Sequence, residues 1–195
     1  MAAGGVLRVV RSLVEPTRQP MAMSAERFDE LVERLSPELF GLAYRVLGER
    51  MACEDVLQEA FLQLSWAPAL LQRPDPEIAA WLRRVVLHRA FNTVRGERRA
   101  QARLERAAQL DRVGPSGGSE ISGADAAAVR QEDQTEVRRA LAELPERQRA
   151  CLLLRHSGYS YAEIAHTLGI AVGSVGVLLA RAEAAFRQTY RRHTP

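Results

Sequence analysis

Lysine is missing from this chain: all 27 basic residues are Arg. Guanidinium forks suit phosphate and guanine, but a GC-rich genome produces the same bias, so the absence assigns no contact by itself. Cysteine is scarce as well. Cys53 and Cys151 lie far apart, with no CxxC pair and no His at ligand spacing, so neither a disulfide framework nor a zinc site is signalled and reduced, buried thiols are expected. No apolar run approaches the roughly 18 residues of a membrane span. Arg8 and Arg11 interrupt the one apolar stretch near the start, which spoils a secretory signal, so membrane insertion is not expected and the cytoplasm is the expected compartment. A large charge excess is also lacking. With a net charge of only +3, any affinity for nucleic acid must come from local patches. His88, His156, His166 and His193 have no partners at ligand or triad spacing, so neither a metal, a cofactor nor an enzymatic reaction is expected.

What is present is helical. With 195 residues, 47% of them apolar and 6% aromatic, the chain has room for two small domains and a composition suited to helix packing. The stretch from Tyr159 to Arg192 is the most specific. Ser160 and Glu163 form a capping box, in which hydroxyl and carboxylate each satisfy the other residue's amide. Tyr161, Ile164, Ala165 and Leu168 then make one apolar stripe, and Gly169 stands where a helix ends in a left-handed residue. Val175, Leu178, Leu179, Ala182 and Phe186 repeat the spacing beyond a short turn, and Arg181, Arg187, Arg191 and Arg192 leave one side basic. Two helices, a tight turn and a basic face predict a helix-turn-helix with its second helix in the DNA major groove; an ordinary helical hairpin is the alternative.

The rest of the chain divides around it. Residues 1–23, with Gly4, Gly5, Pro16, Pro20 and further methionines at 21 and 23, read as a disordered tail or as sequence upstream of the true start. Ser24 caps a helix carrying Phe28, Leu31, Val32 and Leu35, and Ser36-Pro37 opens a second that ends at Gly48. A third, about Met51 to Trp66, sets Val56, Leu57, Ala60, Phe61 and Leu64 against Glu54, Asp55, Gln58 and Glu59. The prolines at 68, 74 and 76 then break the pattern, and Asp75-Pro76 starts a fourth helix running through Arg95, with Trp81, Leu82, Val85, Val86, Ala90 and Val94 available for the core. Residues 107–133, around Gly114-Pro115-Ser116-Gly117-Gly118-Ser119, read as a flexible acidic linker that protease should cut. The expectation is therefore all-α, with helical domains over 24–106 and 134–192 joined by that linker. Charge is segregated between neighbours: Met51 to Gln72 carries −3, whereas Arg83 to Arg106 holds eight Arg and a net +6. An acidic and a basic face in one bundle suggest two partners, a protein and a nucleic acid.

In order along the chain, Glu54-Asp55-Val56-Leu57-Gln58-Glu59-Ala60-Phe61, Ala80-Trp81-Leu82 with the Arg-rich stretch after it, Leu144-Pro145-Glu146-Arg147-Gln148-Arg149, and Tyr159-Ser160-Tyr161-Ala162-Glu163-Ile164-Ala165 resemble the extracytoplasmic-function sigma factors of bacterial RNA polymerase. The likeness covers about Phe28 to Arg99 and Glu136 to Arg192. It implies core RNA polymerase (β′ clamp helices and β flap) and promoter DNA as partners, and it raises the question of an anti-sigma factor. Polymerase contacts would fall on Asp55, Gln58, Glu59 and Phe61, minus-10 contacts on Arg83, Arg84, Arg95, Arg98 and Arg99, and minus-35 contacts on Ser174, Arg181 and Arg187. The loop Ala67 to Glu77 stands where the family places a pocket for a flipped minus-10 base, and Trp81 reads as core rather than as a stacking platform.

Two departures stand out. Gly176, Val177 and Leu178 occupy the part of the recognition helix where the family carries basic or polar residues, which leaves Ser174 as its polar side chain there and shifts the expected contact to phosphates or DNA shape. His88 and Asn92 replace the family's usual Asn and Asp, so no base-reading role is carried onto them. A free-standing DNA-binding regulator using residues 135–192, and an interaction protein that no longer binds DNA, are the competing readings.

Overall fold

The computed structural model describes residues 22–110 and 125–193. The tail and the central part of the expected linker, 111–124, lie outside the described residues. Regular structure among the described residues is helical: α1 (Ala22–Leu47), α2 (Arg50–Ser65), a single turn α3 (Pro68–Leu71), α4 (Asp75–Leu110), α5 (Asp125–Glu143), α6 (Glu146–His156), α7 (Tyr161–Leu168) and α8 (Val172–His193). Helix therefore extends at both ends into the span expected as linker.

The two short helices expected before Gly48 are one. Pro37 lies inside α1, although a mid-helix proline removes a hydrogen bond and crowds the preceding turn. Packing overrides it, because the apolar stripe does not stop at Pro37: Leu31, Val32 and Leu35 before it and Leu39, Leu42 and Ala43 after it are all buried. Ser36 contributes by donating its hydroxyl to the Val32 carbonyl at 2.5 Å. Gly48, at φ 72°, ends the helix, with its amide on the Tyr44 carbonyl at 2.9 Å. A Cβ on this glycine would also lie 2.6 Å from the Arg138 guanidinium carbon, so α5 packs against that turn.

Two hydrophobic cores organise the chain. The first gathers Phe28, Leu39, Leu57, Phe61, Ile78 and Leu82 from α1, α2 and α4, with Phe28 edge-on to Phe61 at 6.4 Å. The second is built on α5 to α8 around Leu154, Ile164, Val175 and Leu179, but it also takes Leu42 and Val46 from α1 and Leu87, Ala90 and Phe91 from α4. The two modules thus share a core instead of standing apart. Both thiols are wholly buried; burial pushes each pKa to about 11, with Glu49 and Glu54 adding to the effect at Cys53, so both stay protonated at neutral pH.

Candidate nucleic-acid and polymerase interfaces

The helix-turn-helix forms as its sequence dictates. The Ser160 hydroxyl accepts from the Glu163 amide at 3.3 Å, and the Glu163 carboxylate accepts from the Ser160 amide at 2.9 Å and from its hydroxyl at 2.7 Å. Those bonds to Ser160, side chain first and backbone second, hold the Glu163 carboxyl below its ordinary 4.5. Gly169 closes α7 at φ 63°, and α7 and α8 meet at a bend of 91°, within the range of a DNA-reading pair. Replacing Ser160 by Ala should cost about 1 kcal/mol of stability, measured by denaturant unfolding at neutral pH. Because the folded Glu163 pKa is depressed, its contribution exists above the ordinary carboxyl value and fades as pH falls through the lowered one, so the wild-type advantage should shrink in acid.

Side chains on α8 sort by rotation about its axis. Ser174 and Arg181, seven residues apart, are exposed on one face at 100° per residue. Arg187 is turned about 120° from Arg181 and lines a groove of about 770 Å³ between the modules with Tyr44, Arg138, Leu141 and Phe186. Arg181 and Ser174 therefore remain together as one candidate surface, and Arg187 does not join them. Val172, 52% exposed, lies about 160° from Ser174, and Tyr161, 42% exposed although the stripe pattern had placed it in the core, stands beside Gly176 on that far side; Val177, 54% exposed and about 60° from Ser174, gives the surface an apolar flank. An apolar face of this kind offers thymine methyl contacts rather than hydrogen bonds to base edges.

On α2 the acidic face is open: Asp55 and Glu59 are exposed and Gln58 is half-buried. Glu59 also pairs with Arg89 of α4. Phe61 is a correction. Its side chain is wholly inside the first core, since the α2 spacing places it on the stripe opposite the acids, so it holds the helix in position and presents nothing to a partner.

The arginines of α4 are less open than their spacing implies. Arg83 is only 8% exposed. Its Nε donates to Glu38 of α1 at 2.7 Å, the Tyr159 hydroxyl donates to the same carboxylate oxygen at 2.5 Å, and the guanidinium lies 4.4 Å over the Tyr159 ring. Burial opposes the Arg83 charge, but Glu38 and Tyr159 outweigh it and its pKa is raised. Burial first, and the bond to Glu38 second, raise the Tyr159 pKa, so its hydroxyl stays a donor. Arg84 donates to the carbonyls of Thr167 at 2.8 Å and His166 at 3.3 Å. Arg95 pairs with Glu146 at 3.0 Å, and His88 meets the same carboxylate at 3.4 Å while bonding Asn92 at 3.0 Å. Arg98 reaches the Arg139 carbonyl at 3.4 Å, and Arg99 is exposed. Glu38, Glu146, Tyr159 and Arg149, whose guanidinium stacks 3.9 Å over Phe91, carry the junction, a role that the sequence assigned to none of them. Helical spacing reports neighbours on one helix, not partners across two modules.

Between α3 and α4 lies a pocket of about 510 Å³ lined by Ala67, Ala69, Leu70, Arg73, Trp81 and Arg84 and closed on one side by His166. It occupies the loop expected to form one. Trp81 packs against the first core and also contributes a wall. Asp75, at the start of α4, is held by Arg34 at 2.5 Å and Arg27 at 3.0 Å, and the Arg34 bond leads in lowering its pKa.

A helix-turn-helix module docked on a bundle with one acidic and one basic face defines a two-module DNA-binding protein. Residues 31–100 match the family Sigma-70 region 2, and residues 134–186 match Sigma-70, region 4. Over 161 residues the chain is 30% identical to the RNA polymerase sigma-H factor of Pseudomonas aeruginosa, covering 81% of this chain and 83% of that one. Over 175 residues it is 31% identical to the ECF RNA polymerase sigma factor SigM of Mycobacterium tuberculosis, covering 89% and 82%. The sigma factor RpoE of Bartonella quintana, solved in complex with the anti-sigma factor NepR, shares the fold at a TM-score of 0.50 and 23% identity, over 84% of this chain and 96% of that one. The chain belongs to the sigma-70 family, as a sigma factor of the extracytoplasmic-function type.

Proposed function

We propose that the two modules divide the work of a sigma factor between the surfaces described above. Directing RNA polymerase to promoters and starting transcription is the function of the family, and matches to both modules disfavour a free-standing regulator built on 135–192 alone. The observation that carries the division is the opposition of charge on adjacent helices, with α2 exposing Asp55 and Glu59 while α4 concentrates arginine. An acidic face repels DNA and suits a basic protein surface, so Asp55, Gln58 and Glu59 bind the β′ clamp helices. The pocket beside α3 and the arginines 84, 95, 98 and 99 engage the minus-10 region, and Ser174 with Arg181 engages the minus-35 region. The β flap and an anti-sigma factor are further proposed partners, the latter because the Bartonella relative was solved with one. Among the described residues no single helix is long and apolar enough to cross a membrane, and the proposed place of action is the cytoplasm, beside the polymerase. Chemistry belongs to the polymerase, with this chain as a non-enzymatic subunit. Core polymerase supplemented with this protein should start RNAs at a defined set of genomic sites; RNA output identical to that of core polymerase alone would reject the reading.

A further inference from the structure

The groove of about 770 Å³ that Arg187 lines is walled mainly by apolar side chains, among them Val137, Leu141, Leu152, Leu153 and Phe186. Adjoining it is a recess of about 10 Å³, which shares Arg45, Arg138, Leu141 and Leu153 with the groove and reaches Arg149. The recess holds about one water-sized group. Arg149 is 7% exposed, and its Nε is buried with no acceptor among the described residues. A buried donor left unpaired on a cation is costly. Burial holds the Arg149 pKa below its ordinary value; Glu146 opposes that shift, while Arg95 and Arg98 add to it. Glu146 is itself shared between Arg95 and His88. The other two guanidiniums of the recess have neutral partners, Arg45 donating to the Gly41 carbonyl at 3.0 Å and Arg138 to the Thr135 hydroxyl at 3.3 Å. Arg187, by contrast, stands 3.9 Å from Glu183, so the positive charge of the groove is concentrated at the recess.

From this arrangement we infer that the groove binds a single-chain carboxylate of the fatty-acid class, with its head group at the recess against Arg45, Arg138 and Arg149 and its alkyl chain along Leu152, Leu153 and Phe186. The volume is that of a small-molecule site, and the lining has the usual character of one, mostly apolar with a few polar groups gathered at one place. The size of the recess selects the head group. A planar carboxylate can put one oxygen into it and match a guanidinium fork, whereas the three terminal oxygens of a phosphate monoester need more room. The walls select the body, because a flexible alkyl chain conforms to a floor of branched aliphatic side chains. The site shares no lining residue with the acidic face of α2, the pocket beside α3 or the Ser174–Arg181 surface. It therefore stands apart from the polymerase and promoter assignments.

The test uses the full-length chain and sodium dodecanoate below its micellar concentration, read by isothermal titration calorimetry. A single dodecanoate should bind per chain, and affinity should rise about three-fold per methylene from octanoate to dodecanoate. Dodecyltrimethylammonium, the same chain with a cationic head, should bind at least about ten-fold more weakly. Arg138→Gln should weaken dodecanoate about ten-fold, whereas Arg103→Gln, the same charge change at an exposed position of α4, should alter it by less than about two-fold. Circular dichroism checks that both variants fold. A diazirine-bearing dodecanoate photolysed on the wild-type chain gives a reading that needs no variant: the label should fall on peptides carrying Tyr44, residues 134–156 or residues 183–187, and label spread over the whole chain overturns the site. Equal binding of the two head groups would leave an apolar groove without a carboxylate site, and acetate binding as tightly as dodecanoate would leave an anion recess without a chain site. Either result overturns the proposal, as do several dodecanoates per chain or equal losses from the two Arg variants.

Discussion

Asp55→Arg is expected to abolish capture of core RNA polymerase while leaving the helical circular-dichroism signal unchanged. Asp55 is exposed on α2 and belongs to a stretch, Met51 to Gln72, that carries −3 with no Arg to offset it. Against a basic partner surface, truncating one member of a close charge pair costs about 2–5 kcal/mol, and reversal adds repulsion to that loss. The expected drop in affinity is therefore a hundred-fold or more, measured by biolayer interferometry with immobilised core enzyme. Reversing Glu59 as well would deepen the loss but confuse its cause. Glu59 pairs with Arg89, so an Arg there would also repel α4 and strain the bundle. Asp55→Arg is the cleaner experiment, and unimpaired capture by that variant would remove α2 from the interface.

The contrast between Asp55 and Phe61 shows how far the sequence was legible. Both belong to the same run of eight residues, and family likeness pointed to both. Helical spacing already separated them, because Phe61 sits on the stripe with Leu57 and Leu64, and its burial follows. Local signals of this kind were readable where they arose: the Ser160–Glu163 box, the left-handed Gly169 and the apolar faces of α2 and α8 all depend on residues within a few positions of one another. Pro37 shows the limit. Its break signal is local, but the burial that overrides it comes from distant elements packing on α1: α2 and α4 around Leu39 and Ala43, and α4 with the α5–α8 module around Leu42. The junction between modules was illegible for the same reason. Arg83, Glu38 and Tyr159 are separated by 45 and 121 positions along the chain, and no periodicity connects them. Charge counting found the basic stretch and gave no sign that its arginines already had partners.

Promoter choice is expected to follow the loop between α2 and α4 more than the recognition helix. Opening a promoter exposes bases, and a protein reads them by drawing them into a pocket and stacking them on flat side chains, with arginines on the neighbouring phosphates. The pocket of about 510 Å³ beside α3 supplies the space, and Arg73 and Arg84 lie on its wall. Trp66, at the entry to the loop, is 74% exposed and so offers a stacking surface that the fold does not consume. Trp66→Ala should therefore leave unfolding unchanged but weaken binding to single-stranded minus-10 DNA by about 1–3 kcal/mol. Exchanging Ala67 to Glu77 for the loop of a relative should move the minus-10 preference, read by sequencing the RNAs each holoenzyme starts. Replacing Arg98 and Arg99 should act differently, weakening all promoters alike and flattening the slope of log affinity against log salt by about 1.4–1.8. On α8 the exposed valines leave few hydrogen-bond donors for base edges, so exchanging Val172 to Arg187 should alter overall strength more than choice. If that exchange alone transferred promoter choice, specificity would lie in the helix-turn-helix and the pocket would be left with a role in melting.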